Sequence, residues 1–185
     1  MRKLSVFNQV TIDGYFTTKK GDMSWAHKHD EEWNAFVAEN AKGGGVLLFG
    51  RITYEMMTSY WPTPQARKDA PIVAERMNSL PKVVFSRTLD KASWNNTKLV
   101  KGDIADEVQK MKQESGPDLV IMGSGTIVSQ LTGQGLIDEF QIVVNPLVLG
   151  EGRTMFEGVK DRPQLKLTKT RSFRNGNVLL CYAPA

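Results

Sequence analysis

Alternating apolar and polar residues open the chain. The segment from Leu4 to Val10 alternates and is rich in strand-forming residues, which predicts a central strand ending near Asp13, where Asp-Gly marks a turn. The run Val46-Leu47-Leu48-Phe49 is instead continuously apolar, as is typical of a strand covered on both faces in a parallel sheet. The two patterns predict a sheet with at least one fully buried strand.

Strand and helix patterns then alternate along most of the chain. The remaining predicted strands lie at 82–86, 99–100, 119–122 and 140–144. Helices are predicted from Asp30 to the glycines at 43–45, over 51–60, 71–79 and 104–113, and from the turn at 123–126 to about Thr132, with a break at Trp61-Pro62-Thr63-Pro64. This order predicts a mainly parallel sheet with right-handed crossovers and helices on both faces.

The C-terminal part changes character. Two strand patterns, 165–173 and 177–182, flank Arg174-Asn175-Gly176, and Asn-Gly is the strongest short signal for a hairpin. We therefore expect an α/β fold whose mixed, mainly parallel sheet ends in an antiparallel hairpin. No linker or internal repeat interrupts the pattern, which favours a single domain over residues 1–185.

Composition narrows the possible functions. The 185 residues carry a net charge of +4 scattered along the chain, and this argues against a nucleic-acid partner. No segment approaches 18 consecutive apolar residues, so we expect no membrane span. The lone Cys181 excludes an internal disulfide, and the N-terminus lacks a signal-peptide pattern. A cytoplasmic protein is expected.

A glycine turn follows the predicted strand at 119–122. Gly123, Ser124, Gly125 and Thr126 lead into a helix, where free backbone N–H groups and the helix dipole attract phosphate. A tight strand-to-helix turn explains the same glycines equally well. The third glycine of the dinucleotide fingerprint is missing and the chain has no G-x-x-x-x-G-K-[ST], which argues against a standard Rossmann or P-loop protein.

Two further groups stand at predicted strand ends. These are Gly50, Arg51 and Thr53, and Ser86 with Arg87. Ligands in open α/β sheets collect at such ends, so convergence of all these groups predicts one crevice, although each arginine is also explained as a solvated surface residue. Because arginine reads a ribose 2′-phosphate and an acid reads the 2′-hydroxyl, the basic residues favour NADPH over NADH.

Several blocks occur in an order that extends over nearly the whole chain. They are Asp13-Gly14, 48–55, 84–87, 123–126 and the stretch from Asp138-Glu139 to Gly150-Glu151-Gly152-Arg153. Together they resemble bacterial dihydrofolate reductase family proteins related to the riboflavin-biosynthesis reductase domain. The resemblance implies a three-layer αβα fold, NADPH bound across the strand ends, and commonly a homodimer.

The resemblance also implies roles for residues. It assigns the adenosine side and its 2′-phosphate to Gly50, Arg51, Thr53, Ser86 and Arg87. It assigns binding of the pyrophosphate to Gly123, Ser124, Gly125 and Thr126. Asp13 and the segment around Trp25 would face the nicotinamide and the substrate, and Trp25 is the best candidate for stacking on a flat heterocycle.

Proton delivery has two candidate residues. Matching the aromatic position of the first helix in dihydrofolate reductases to Phe36 puts Glu32 in the place of their catalytic acid. Acids are equally expected at a helix N-terminus, and Asp13-Gly14 is also ordinary turn chemistry. A metal site at His27 and His29 lacks a third fixed ligand, so no metal is expected.

Together with the basic residues at the strand ends, the resemblance implies an NADPH-dependent reductase of a pterin-like, pyrimidine-like or carbonyl small molecule, similar to 5-amino-6-(5-phosphoribosylamino)uracil reductase and dihydrofolate reductase. The sequence lacks the deaminase domain of the riboflavin enzyme, which counts against that particular pathway role, and it lacks a clear dihydrofolate reductase signature in strand 1 and helix 1, so good folate turnover is not expected. The alternative is a non-catalytic module that binds NADPH or another nucleotide.

Overall fold

A computed structural model describes residues 1–26 and 30–185. Within these residues the strands are β1 (Leu4–Thr11), β2 (Val46–Gly50), β3 (Lys82–Phe85), β4 (Thr97–Val100), β5 (Leu119–Met122), β6 (Glu139–Asn145), β7 (Leu165–Ser172) and β8 (Val178–Pro184). The helices are α1 (Glu31–Lys42), α2 (Arg51–Tyr60), α3 (Pro64–Asp69), α4 (Pro71–Ser79), α5 (Ile104–Gln113) and α6 (Gly125–Gly133). A short 3₁₀ turn covers Ser24–Ala26.

All the strands belong to one sheet, in the order β4-β3-β2-β5-β1-β6-β8-β7. The pairs from β4 to β6 are parallel, while β8 runs antiparallel to β6 and to β7. The predicted mixed sheet with an antiparallel C-terminal hairpin is therefore confirmed. Strand β7 forms one edge of the sheet, and all its residues are exposed.

The two faces of the sheet carry separate cores. On one face, apolar side chains such as Leu4, Val6 and Leu48 pack against Val108 of α5 and Leu131 of α6. On the opposite face, one cluster joins β2 and β3 to α2 and α4, and another joins β6 and β8 to Trp33 of α1. Helices thus cover both faces, in the three-layer arrangement that the alternation predicted.

Two local features differ from the predictions. Strand β1 ends at Thr11 because the following residues turn back, the N–H of Gly14 donating to the carbonyl of Thr11 at 3.0 Å. The stretch predicted as a break contains the start of α3, in which the Thr63 hydroxyl caps the amide of Ala66 at 3.2 Å and Pro64 begins the helix. Proline is favoured at a first helical position, so it starts this helix instead of only ending the one before.

In the described part of the chain, the helices are too short and too polar for any of them to cross a bilayer.

Candidate functional site

A cleft of about 680 Å³ opens at the carboxyl edge of the sheet. The ends of β1, β2, β3 and β5, the first turns of α2 and α6, and parts of the segments 16–23 and 153–157 line it. Ligand pockets in proteins have volumes of roughly 300–1,000 Å³, and in open α/β sheets they lie at this edge. The cleft is therefore the candidate ligand site of the fold.

The glycine turn after β5 leaves no room for side chains. Gly123 has φ +67°, and a Cβ there would lie 2.7 Å from Cγ2 of Thr53. A Cβ on Gly125 would lie 2.8 Å from the ring of Phe16. Both positions require glycine for close approach, Gly123 also for its backbone conformation.

Ser124 joins the two helix N-termini that border the cleft. Its hydroxyl accepts from the Gly50 amide at 2.6 Å and donates to Oγ1 of Thr53 at 2.9 Å. The Ser124 amide donates to the same Oγ1 at 3.0 Å, and Ser124 itself is left-handed, with φ 60°. A left-handed non-glycine residue costs energy, and here three hydrogen bonds hold it in place.

Two of the four amides in the predicted phosphate turn are already used. The amide of Gly123 donates to Oδ1 of Asn8 at 2.8 Å, and that of Ser124 donates to Thr53. Among the described contacts, the amides of Gly125 and Thr126 have no acceptor, as expected for the first residues of α6. These two N–H groups are the donors that remain for an anion.

Charged residues stand on the rim of the cleft. Arg51 begins α2 and is about half exposed, with Glu55 at 3.5 Å. Arg153 lines the cleft from the opposite side, where its segment bridges Thr17. Glu157 is the one carboxylate among the described residues that line the cleft. Two arginines and one carboxylate thus line the cleft, and an arginine can bind a phosphate-bearing ligand.

Ser86 and Arg87 lie outside the lining. Phe85 is the last residue of β3 to line the cleft, and the Ser86 hydroxyl closes its own turn by accepting from the amides of Thr88 at 3.2 Å and Leu89 at 2.9 Å. Arg87 is exposed. The structure brings Gly50, Arg51, Thr53 and the turn at 123–126 together, and it leaves this pair beside them.

Asp13 also lies outside the lining of the cleft. The Thr11 hydroxyl donates to its carboxylate at 2.5 Å, and the amides of Leu149 and Gly150 donate at 3.2 and 2.7 Å. These bonds, that of Thr11 first, lower the pKa of Asp13 below its ordinary value. Its carboxylate thus anchors the loop after β6, and its predicted substrate role stays a prediction.

Glu32 lies in the first turn of α1, away from the cleft lining. Its carboxylate accepts from the Arg174 amide at 3.0 Å and from the Arg171 guanidinium at 3.4 Å. The hydrogen bond from Arg174 is the main cause that lowers the pKa of Glu32. The side chain ties α1 to the β7–β8 hairpin, and the structure does not bring it together with the glycine turns.

Trp25 lies in the 3₁₀ turn beside the cleft. It is half-buried, and among the described residues its Nε1 has no acceptor. Met23, two residues earlier, does line the cleft. His27 and His29 lie outside the described residues, and the described part of the chain holds no cluster of three potential metal ligands.

Sequence reasoning missed several residues of the cleft. They are Asn8, Gln9, Phe16 and Glu157. Asn8 had a visible signal, because it occupies a core position of β1 in phase with Leu4, Val6 and Val10 yet is polar. A buried polar residue in an apolar phase indicates a hydrogen-bonding task, here the two bonds with Gly123.

Comparisons with known proteins agree with this geometry. The family model described as "RibD C-terminal domain" matches residues 2–179. The protein YyaP of Bacillus subtilis, described as uncharacterized, is 30% identical over 182 residues, covering 98% of this chain and 94% of YyaP.

Solved structures share the fold. A putative riboflavin biosynthesis protein from Shewanella sp. PV-4 superposes with a TM-score of 0.75 at 22% identity, covering 99% of both chains. A Thermotoga maritima deaminase and 5-amino-6-(5-phosphoribosylamino)uracil reductase gives 0.69 at 13% identity, covering 100% of this chain and 57% of that one. At these identities the likeness establishes the dihydrofolate reductase-like fold.

Proposed function

The chain belongs to the RibD C-terminal domain family, and from this premise we propose that it is an NADPH-dependent reductase of a small heterocyclic or carbonyl compound. The family is reductase-like, which gives the reaction class. The choice of cofactor and substrate is our proposal. The observation that carries it is the junction of two helix N-termini through Ser124, Gly50 and Thr53 in one cleft that Arg51 and Arg153 also line.

The residues present fit NADPH. At Gly123 and Gly125 the side chains of Thr53 and Phe16 occupy the space that a Cβ would need, so the turn is held close to these two neighbours. The amides of Gly125 and Thr126 would donate to the pyrophosphate at the N-terminus of α6, where the helix dipole favours negative charge. We assign the 2′-phosphate to Arg51, which lines the cleft and begins the helix that Ser124 joins to this turn.

When bound, NADPH supplies a hydride, and the protein's task is to orient donor and acceptor and to exclude water. Phe7, Phe16, Met23 and Met122 give the cleft an apolar lining. Because the carboxylates of Asp13 and Glu32 are engaged elsewhere, Glu157 is the acid on this lining that we assign to proton supply.

Cofactor titration tests the proposal. Arg51→Ala should weaken NADPH binding by roughly 1.5–3 kcal/mol, because a charge-assisted contact with the 2′-phosphate is lost, and should leave NADH binding almost unchanged. Tryptophan fluorescence measures both dissociation constants. Arg67→Ala, on the exposed part of α3, is the matched control and should change neither. Equal losses of NADPH and NADH affinity in Arg51→Ala would remove the assigned role.

A non-catalytic NADPH-binding module is the second candidate. The engagement of both predicted proton donors outside the cleft favours it. Oxidation of NADPH at 340 nm, followed with a panel of pterins, pyrimidines and quinones, separates the two. Turnover that falls in Glu157→Gln while NADPH affinity stays constant supports the enzyme. NADPH binding with no turnover of any compound supports the module.

A further inference from the structure

Gln9 is a polar cleft residue that the cofactor contacts proposed above leave unused. It lies on β1 next to Asn8 in sequence, so the two side chains point to opposite faces of the sheet, and both line the cleft. Asn8 is committed to Gly123. Gln9 is half-buried, and its one hydrogen bond among the described residues is at Oε1, which accepts from Nδ2 of Asn145 at 3.2 Å.

The direction of this bond is fixed by the backbone. Nδ2 of Asn145 also lies 3.3 Å from the carbonyl oxygen of Val10 and 3.4 Å from that of Val143, so its two N–H groups are shared among three acceptors. Carbonyl oxygens only accept, so the nitrogen of Asn145 must face them, and the Gln9 atom beside that nitrogen must be its oxygen. The amino group of Gln9, with its two N–H donors, is then free to donate to a ligand in the cleft.

Asn145, which bonds Gln9, is a buried polar residue. Asn145 is fully buried, and so is Asn177, which lies opposite because Val144 pairs with Val178. Within the described residues, Oδ1 of Asn145 and both amide atoms of Asn177 have no hydrogen-bond partner. Burying such groups costs roughly 1–3 kcal/mol each, so packing alone gives no reason for them. For Asn145, the bond to Gln9 supplies a reason, which is that it holds a residue of the cleft.

We propose that Gln9 is a specificity-determining residue that donates a hydrogen bond to a carbonyl or ring-nitrogen acceptor of the ligand, and that Asn145 is the residue that positions it. The inference rests on the proposed function and names the polarity of the substrate edge that this cleft selects. The acceptor belongs either to the substrate or to the carboxamide of the cofactor, and the experiment distinguishes these two sources.

Two heterocycles that differ at one ring position test whether Gln9 donates to an acceptor on the substrate. Pterin carries a carbonyl where 2,4-diaminopteridine carries an amino group. With saturating NADPH, wild-type protein should bind pterin about tenfold more tightly, since an amino group facing the Gln9 donor leaves both unpaired. Gln9→Glu presents an acceptor of the same shape and should reverse the preference. Gln9→Met should abolish it. Calorimetry or ligand-detected NMR measures the constants.

The cofactor arm uses NADPH alone. If its affinity falls about tenfold in Gln9→Glu and also falls in Gln9→Met, while the pteridine preference stays unchanged, the acceptor is the cofactor's carboxamide and the donor role stands. The donor role of Gln9 is overturned if neither the pteridine preference nor the NADPH affinity changes by more than about twofold in either variant. If neither pteridine binds, an unchanged NADPH affinity alone overturns it. Wild-type protein that fails to bind NADPH would instead contradict the proposed function.

Asn145 has its own readout. Asn145→Leu removes the donor that fixes Gln9, so the pteridine preference, or the NADPH affinity if the cofactor supplies the acceptor, should move toward that of Gln9→Met. Asn177→Leu is the matched control, because it removes an equally buried amide that does not touch Gln9. Thermal unfolding shows whether each variant folds. Folded Asn145→Leu that behaves like wild type in both binding measurements would overturn the positioning role.

Discussion

The turns after β5 and after β3 lie at the same edge of the sheet, and sequence reasoning treated them alike. The first is locked into its neighbours, since Ser124 bonds both Gly50 and Thr53. The second closes on itself, since the Ser86 hydroxyl accepts from amides two and three residues further on. The turn whose serine hydroxyl bonds other elements lines the cleft, and the turn whose serine hydroxyl bonds its own amides does not.

The largest expected effect comes from filling the locked turn. Gly123→Ala should lower the free energy of unfolding by about 2–4 kcal/mol, because it combines a left-handed alanine with a clash against Thr53. Gly135→Ala is the matched control. Its φ of +64° is nearly the same and no atom lies within 4 Å of the added Cβ, so it should cost only about 1–2 kcal/mol.

A rescue sharpens this prediction. Thr53→Ser removes the methyl that the new Cβ meets and keeps the hydroxyl that binds Ser124. The double variant should therefore recover part of the loss in urea denaturation. If Gly123→Ala and Gly135→Ala lower the free energy of unfolding by the same amount, the close packing of Gly123 against Thr53 contributes nothing to stability.

The second largest expected effect on stability comes from Lys82, the first residue of β3. Lys82 is buried, and its ammonium group donates to the carbonyls of Met77, Asn78 and Leu80 at the end of α4, at 2.8, 3.2 and 2.6 Å. Lys82→Met should lower the free energy of unfolding by about 1–3 kcal/mol, because these acceptors lose their donor. NADPH affinity should not change. A loss of binding would mean that the strand acts on the site from a distance.

The pH dependence of this variant has a definite sign. Burial lowers the pKa of Lys82 from 10.5 to about 8. Between these values the unfolded chain holds a proton that the folded chain has released, so the stability due to Lys82 rises as pH increases from about 8 to 10.5. The stability gap between wild type and Lys82→Met should widen over this range in denaturant titrations. A gap that narrows would contradict the burial of the charge.

The smallest expected effect is on NADPH affinity and comes from Arg87, in the turn after β3. Because the structure places Arg87 outside the cleft lining, Arg87→Ala should weaken NADPH binding by less than about 0.5 kcal/mol, as for a solvated arginine. Parallel fluorescence titrations of Arg51→Ala and Arg87→Ala measure the difference. Equal losses would return Arg87 to the 2′-phosphate role that the resemblance implied and remove the contrast between the turns.

Much of the fold was visible in local patterns. The alternation of β1, the apolar run of β2 and the Asn175-Gly176 hairpin each follow from residues close in sequence, and the structure confirms them. The contacts that build the site were not visible. Ser124 and Thr53 are 71 residues apart, and the amide of Gly150 reaches Asp13 across 137. Periodicity locates a turn but carries no information on what it meets.

The exposed edge formed by β7 has a consequence for how the protein behaves when crowded. A bare strand invites another chain to extend the sheet, the first step of many aggregates. Here Lys166, Lys169 and Arg171 populate the strand, and a bulge between Leu167 and Lys169 interrupts its ladder. A second copy of β7 that paired with this edge would bring the basic side chains of both copies close together. Their repulsion would oppose the addition of further copies to the sheet.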